Sequence, residues 1–179
     1  YIMGRVRRYI GIDESGENPV YFVAAFSKYK EDAQQPDHKL GKRRSYHLSD
    51  DPAFDFLYTE VKPQFGLHIS ESTRINAIGS LLVQAGIREE GDVVIIDSFG
   101  NLNRVTEGLR HYLAGCGVHL NGNLHVERSA DTRFPIVNEA DFIAYRLFRQ
   151  NGSSGFGDKQ VPFLTEDEAR IYLDAYKGR

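Results

Sequence analysis

Hydrophobic positions along this chain switch between a period of two and a helical period, and the switches mark its elements. Tyr9–Ile12 and Val20–Phe26 are apolar runs separated by Ser15-Gly16-Glu17-Asn18-Pro19, which predicts two antiparallel strands joined by a tight reversal. Asp92–Asp97 (D-V-V-I-I-D) is apolar without interruption and predicts a central strand covered on both faces. Asn123–Glu127 predicts another strand, and Arg44–Leu48 a short one. Helical spacing recurs in Ile75, Ile78, Leu82 and Ala85, in a helix from about Ser72 towards Gly86. It recurs in Leu102, Val105, Leu109 and Tyr112 over Leu102–Ala114, and in Ile136, Ala140, Ile143 and Leu147 after Pro135, running to Arg149. Thr165-Glu166-Asp167-Glu168 is a capping box that opens a last helix carrying Ile171, Leu173 and Ala175. Asp51-Pro52 carries the same kind of start signal, with Phe54, Leu57, Tyr58 and Val61 as its stripe, and predicts a helix ending at Pro63. A hairpin followed by alternating strands and helices argues for an α/β fold, one mixed sheet with helices packed on it.

Composition narrows this only a little. A chain of 179 residues with 41% hydrophobic and 26% charged residues is sized for one domain with a proper core. The single cysteine, Cys116, excludes an internal disulfide and a cysteine-rich zinc site, and favours a cytoplasmic setting. No apolar run approaches membrane-spanning length, so no membrane association is expected. Net charge is −3, which by itself announces no polyanionic partner. Two basic patches are the exception: Arg5, Arg7 and Arg8 before the first strand, and Lys39, Lys42, Arg43 and Arg44 in a loop. Such runs are ordinarily solvated surface, but beside an acidic pocket they would steer a phosphate backbone.

Candidate chemistry lies in the acids. Asp13 and Glu14 end the first strand at the point of reversal, Asp97 ends the central strand, and Asp131 sits in the loop before the Pro135 helix. Asp141 lies inside that helix, on the flank of the apolar stripe between Val137, Ala144 and Phe148 at about 100° per residue. Asp13 and Glu14 admit two readings, a solvated hairpin end or a metal site, because coordination is one way to offset the cost of a buried carboxylate. Sites of α/β sheets assemble at strand ends, and carboxylates without cysteine suit Mg²⁺ or Mn²⁺. Two such ions about 4 Å apart can activate water and stabilise the leaving oxygen of a phosphodiester. The chain has no phosphate-binding glycine loop of the common nucleotide-binding types, no serine-hydrolase elbow and no H-E-x-x-H, and its six histidines lack ligand spacing.

Three segments resemble ribonuclease HII, the type 2 ribonuclease H family, and its archaeal members in particular. G-I-D-E-S-G-E-N-P (Gly11–Pro19) is similar to that family's G-I-D-E-A-G-R-G-P, and V-V-I-I-D (Val93–Asp97) to the strand that delivers its third acid. A-D-T-R-F-P-I-V-N-E-A-D-F-I-A (Ala130–Ala144) is similar to the archaeal A-D-x-K-Y-P-V-V-S-A-A-S-I-I-A. The resemblance implies a ribonuclease H-like fold and hydrolysis of the RNA strand of RNA–DNA hybrids with Mg²⁺ or Mn²⁺. It implies Asp13, Glu14, Asp97 and Asp131 as catalytic, metal-holding acids, a catalytic domain over residues 1–157, and a C-terminal helix in 158–179 packed on or beside it. Substrate contacts are expected from Ser15, Gly16, Lys42, Arg43 and Arg44.

The match is uneven. Glu17 and Asn18 replace the Arg and second Gly of the turn that touches the ribose 2′-hydroxyl in that family. Ala140-Asp141-Phe142-Ile143-Ala144 also resembles the A-D-[LF]-I-A helix of an uncharacterised D-E-S-G family of the same superfamily, whose helix Asp is its final acid, so Asp141 joins the metal candidates. Two other functions stay open: a phosphodiesterase acting on a different nucleic acid, and a non-catalytic nucleic-acid-binding module that kept the fold.

Overall fold

The first hairpin forms around its turn residues. In the computed structural model, which describes residues 7–43, 48–66, 68–152 and 154–177, β1 (Arg8–Gly16) and β2 (Val20–Ser27) pair antiparallel, with Tyr9 opposite Ser27 and Gly16 opposite Val20. β3 (Asp55–Val61) adds antiparallel to β2, whereas β4 (Asp92–Asp97) lies parallel to β1 and β5 (Leu124–Glu127) parallel to β4. The five-stranded mixed sheet therefore runs β3-β2-β1-β4-β5. Four helices accompany it: α1 (Glu71–Gln84), α2 (Leu102–Gly115), α3 (Pro135–Arg149) and α4 (Glu166–Lys177).

The helices start where the sequence carries caps. Ser70 accepts from the Thr73 N–H ahead of α1, Asn101 accepts from the Arg104 N–H ahead of α2, and Pro135 opens α3. Thr165 accepts from the Glu168 N–H, the first bond of the expected capping box of α4, and its hydroxyl donates to the Glu168 carboxylate.

One expected element changes type. The helix expected over Asp51–Pro63 is strand β3 instead. Its apolar spacing fits a helix, but Phe56 and Tyr58 pack on one face of the sheet while Leu57 and Val61 pack on the other. A strand buried on both sides shows no clean alternation, so it can mimic a helical stripe. The aromatic and β-branched run also suits a pleated surface, and pairing with the exposed side of β2 outweighs the isolated cap signal of Asp51-Pro52. The strand expected over Arg44–Leu48 lies, except for Leu48, outside the described residues.

β1 divides two cores. Ile10 and Ile12 face α1, α2 and α4, meeting Ile78, Leu82, Leu109 and Leu113, with Ala169 and Leu173 of α4 closing that layer. Tyr9 and the neighbouring Val23, Ala25 and Ile95 face α3, whose Ile136, Val137, Ile143 and Leu147 are fully buried. Each such side chain contributes about 1.5–3 kcal/mol relative to exposure, which fixes α3 firmly on the sheet. Gly11 permits the closeness: a Cβ there would lie 2.6 Å from the Ile136 carbonyl.

At the start of β1 and β4, Asp92 is wholly buried between Arg8 and Arg88. Burial alone would raise its carboxyl, but hydrogen bonds from both guanidinium groups and from the Arg88 N–H hold it below the ordinary range. Arg8 thus serves this ion network, at the opposite end of β1 from the acids, and not a phosphate-steering patch.

Candidate metal centre

Parallel pairing of β1 with β4 sets Ile12 opposite Ile96, so the next residues, Asp13 and Asp97, stand side by side where both strands end. Both point to the α3 face, because Ile10, Ile12, Val94 and Ile96 take the other. Beyond β5 the chain turns through Ser129, with φ of 51°, into a 3₁₀ turn, Ala130–Thr132. The Ala130 N–H donates to Asp97 Oδ1 at 2.7 Å, and Asn138 Nδ2 donates to the Asp131 carbonyl at 2.8 Å. These bonds fasten the turn between β4 and α3 and bring Asp131 inward, 5% exposed. α3 then delivers Asp141 two turns along. Asp13, Asp131 and Asp141 each offer a carboxylate oxygen, all within 4.8 Å of one another.

Lys42 enters the same space, with Nζ 2.7 Å from Asp131 Oδ2. Its loop is held from both sides: the Leu40 N–H donates to the Thr132 carbonyl at 2.9 Å, and Asn138 Nδ2 donates to the Gly41 carbonyl at 3.1 Å. Arg43 does not reach the acids. It pairs with buried Glu139 at 3.0 Å and lies over the Phe142 ring, 4.4 Å from its centroid. Glu139 also accepts from the Ala53 N–H at 2.8 Å, so one buried carboxylate closes both ends of the loop onto α3. Arg44 lies outside the described residues.

Glu14 is separate. Alternation along β1 turns it to the α1 face, where it pairs with Arg74. Ser15 continues the hairpin opposite Tyr21, and Gly16 makes the turn with φ of +99°, where a Cβ would fall 2.4 Å from the Pro19 carbonyl. Glu17 and Asn18 are exposed at its tip.

The electrostatics match this crowding. Burial pushes Asp13 well above the ordinary carboxylate value, helped by Asp97, Asp141 and Asp131 and opposed by the Glu14 N–H it accepts. Burial raises Asp97 to about 6, with Asp131 and Asp141 adding to the shift and the Ala130 N–H and Lys42 opposing it. Burial also raises Glu14, against the pull of Arg74, with the charge of Asp97 adding to the rise. The bond to Asp131 keeps Lys42 protonated more firmly than in water. Like charges in a desolvated cluster resist joint ionisation unless a cation joins them. An all-oxygen donor set fits a hard divalent ion such as Mg²⁺ or Mn²⁺.

Two residues of this region carried no sequence signal. Glu139 and Arg74 are single charged positions on amphipathic helices, and only their partners, far away along the chain, distinguish them.

No protein-family model and no curated protein sequence matches the chain. Solved structures do. A mutant of Bst-RNase HIII aligns with a TM-score of 0.58 at 16% identity, over 81% of this chain and 53% of that one. RNase HII from Archaeoglobus fulgidus, solved in a PCNA:RNase HII complex, aligns with a TM-score of 0.55 at 15% identity, over 96% of this chain and 90% of that one. The chain has the ribonuclease H-like fold. Bst-RNase HIII in complex with Mn²⁺ aligns at 0.55 and 16% identity, over 83% of this chain and 54% of its own. The chain spans about half the length of the RNase HIII chains and most of the archaeal RNase HII. Among the described residues, no helix is long and apolar enough to cross a membrane.

Proposed function

We propose that this chain is a divalent-metal-dependent nuclease, cleaving the RNA strand of RNA–DNA hybrids internally. The observation that carries the reading is the convergence of Asp13, Asp131 and Asp141, with Asp97 beside them, at the strand ends of a ribonuclease H-like sheet. These four carboxylates would hold Mg²⁺ or Mn²⁺; the solved RNase HIII with Mn²⁺ supports the choice of ion. When bound, such ions supply Lewis acidity towards a phosphodiester and a water nucleophile at neutral pH.

The chain's own residues set the stage for that chemistry. Asp97, raised to about 6 without metal, is held in its ionised form once a cation binds, so metal uptake would release a proton near neutral pH. Lys42 neutralises Asp131 and stands where it can meet a phosphate oxygen. Arg43, through Glu139, holds the Lys42 loop in place. Ser15 and Gly16 present backbone at the turn where a ribose would lie, and Arg44, next to Arg43 in the sequence, remains a candidate substrate contact. All the proposed metal-holding residues fall within 1–157, with α4 in 158–179 completing the core on the far face.

The test is a substrate panel: labelled RNA–DNA hybrid, a DNA duplex carrying one ribonucleotide, single-stranded RNA and single-stranded DNA, each with Mg²⁺ and with Mn²⁺. Internal cuts in the RNA strand of the hybrid, lost in Asp13→Asn, support the proposal. Cleavage of DNA alone would move the chain to another phosphodiesterase class. No cleavage of any substrate would refute the enzyme reading.

A further inference from the structure

The Arg74–Glu14 pair stands outside the acid triad yet at the same edge of the sheet. Glu14 follows Asp13 directly but leaves β1 on the opposite face, beside Ile10 and Ile12, where α1 packs. There it meets Arg74, in the first turns of α1, with Nη1 donating to Glu14 Oε2. Both side chains remain partly open, 25% for Arg74 and 17% for Glu14. Among the described residues no other acceptor takes the remaining N–H groups of the Arg74 side chain. A guanidinium offers five donors in a planar fork matched to phosphate, so Arg74 is oriented by one bond and has donors left to present.

Beside Thr73, the residue before Arg74, the surface opens as a groove. Thr73 and Ser70 line it with Lys62, Gln64, His68 and the carboxylate of Glu60, enclosing about 480 Å³ between the end of β3 and the start of α1. Lys42 stands on the α3 side of the acids and Arg74 on the α1 side, so the two cations bracket the strand ends.

We propose that Arg74 binds a backbone phosphate of the nucleic acid, that Glu14 positions Arg74 and is not a metal ligand, and that the strand leaves the acids past Arg74 into this groove. The proposal rests on the nuclease reading for its substrate class. It divides the neighbouring pair Asp13-Glu14 between two tasks: one carboxylate faces the metal and the other aims a cation.

Two measurements independent of turnover test it. Mn²⁺ binding by calorimetry is expected to change by less than about threefold in Glu14→Gln and in Arg74→Ala, because neither side chain belongs to the metal site, whereas mutating even an outer-shell partner of a bound metal typically costs about tenfold or more. Binding of a labelled RNA–DNA hybrid in Ca²⁺, followed by anisotropy over a salt series, is expected to weaken about tenfold in Arg74→Ala, with the slope of log affinity against log salt falling by about one. Arg74→Lys keeps the slope and Arg74→Gln loses it, a contrast that a folding defect would not give. A tenfold or greater loss of Mn²⁺ affinity in Glu14→Gln would overturn the proposal, as would an unchanged salt slope in Arg74→Ala or a wild-type chain that binds no nucleic acid. If the wild type binds hybrid through Arg74 but cleaves nothing, the nuclease reading fails and this one stands. If it cleaves and the slopes agree, the reverse holds.

Discussion

Asp97→Asn separates folding from function by sign. In the metal-free protein the Asp97 carboxyl is raised from 3.8 to about 6. At about 1.4 kcal/mol per pKa unit the shift corresponds to an upper bound of about 3 kcal/mol for ionising it in the folded state once the pH is well above both values, reduced by solvent screening because Asp97 is only partly buried. Asparagine keeps an acceptor for the Ala130 N–H that Asp97 Oδ1 now takes at 2.7 Å, and it carries no charge. The variant is therefore expected to be more stable than the wild type by about 1–3 kcal/mol near pH 7.5 in chelator, or about 2–4 °C in Tm per kcal/mol. A carboxyl whose folded value is raised binds more protons folded than unfolded, so its stabilising effect is full below about pH 3.8 and is lost as pH rises through about 6. The gap between the two proteins should therefore close near pH 4 and open over that window. Mn²⁺ at about a hundredfold excess over its Kd should add ~2.7 kcal/mol to the wild type and little to the variant, reversing the order. Thermal melts across pH, with and without Mn²⁺, measure all of this. A metal-free variant less stable than wild type near neutral pH, or a gap that does not vary with pH, would refute the electrostatic reasoning.

Asp92→Asn should behave in the opposite sense. It removes a buried, doubly paired charge, costing about 3–5 kcal/mol near neutral pH, and because the Asp92 value is lowered, the wild-type advantage fades as pH falls below the ordinary carboxylate range; urea melts across pH report it. Gly11→Ala forces a Cβ against the Ile136 carbonyl, which overpacking places at about 1–3 kcal/mol or more. Since α3 also carries Asp141, calorimetry should show Mn²⁺ affinity falling along with stability. Lys42→Met removes the ammonium that pairs with Asp131, so Mn²⁺ should bind about three- to tenfold tighter in the same assay, with no cation to displace; weaker binding would contradict the competition.

What was legible in the chain followed from locality. The hairpin, β4 and the four helices carry their own caps, turns and periods within a few residues, and they form close to where those signals place them. β3 failed because its burial on both faces erased the alternation that would have named it, a consequence of its neighbours and not of its own residues. The acids were visible one by one, but their grouping was not. Asp131 and Asp141 looked like alternatives for a final place, and the fold brings both into one triad, because the Ala130 turn and α3 approach Asp13 together. Glu139 and Arg74 were invisible because their partners lie 96 and 60 residues away.

The hairpin turn beside the acids constrains its residues unequally. Gly16 is fixed by backbone geometry, since its φ of +99° and the Pro19 carbonyl leave no room for a Cβ. Glu17 and Asn18 face no such constraint, being exposed at the tip. The Glu17 carboxylate at that tip repels a phosphate, and although the Asn18 amide can donate to one, the turn brings no positive charge. Attraction has to come from cations that the fold holds nearby. Lys42 is bound to Asp131 and Arg74 to Glu14, each on its own face of the sheet. Selectivity in the proposed nuclease then depends on which strand can span those two cations, a property of backbone path more than of one ribose, and it is the hybrid and single-ribonucleotide substrates that separate the two.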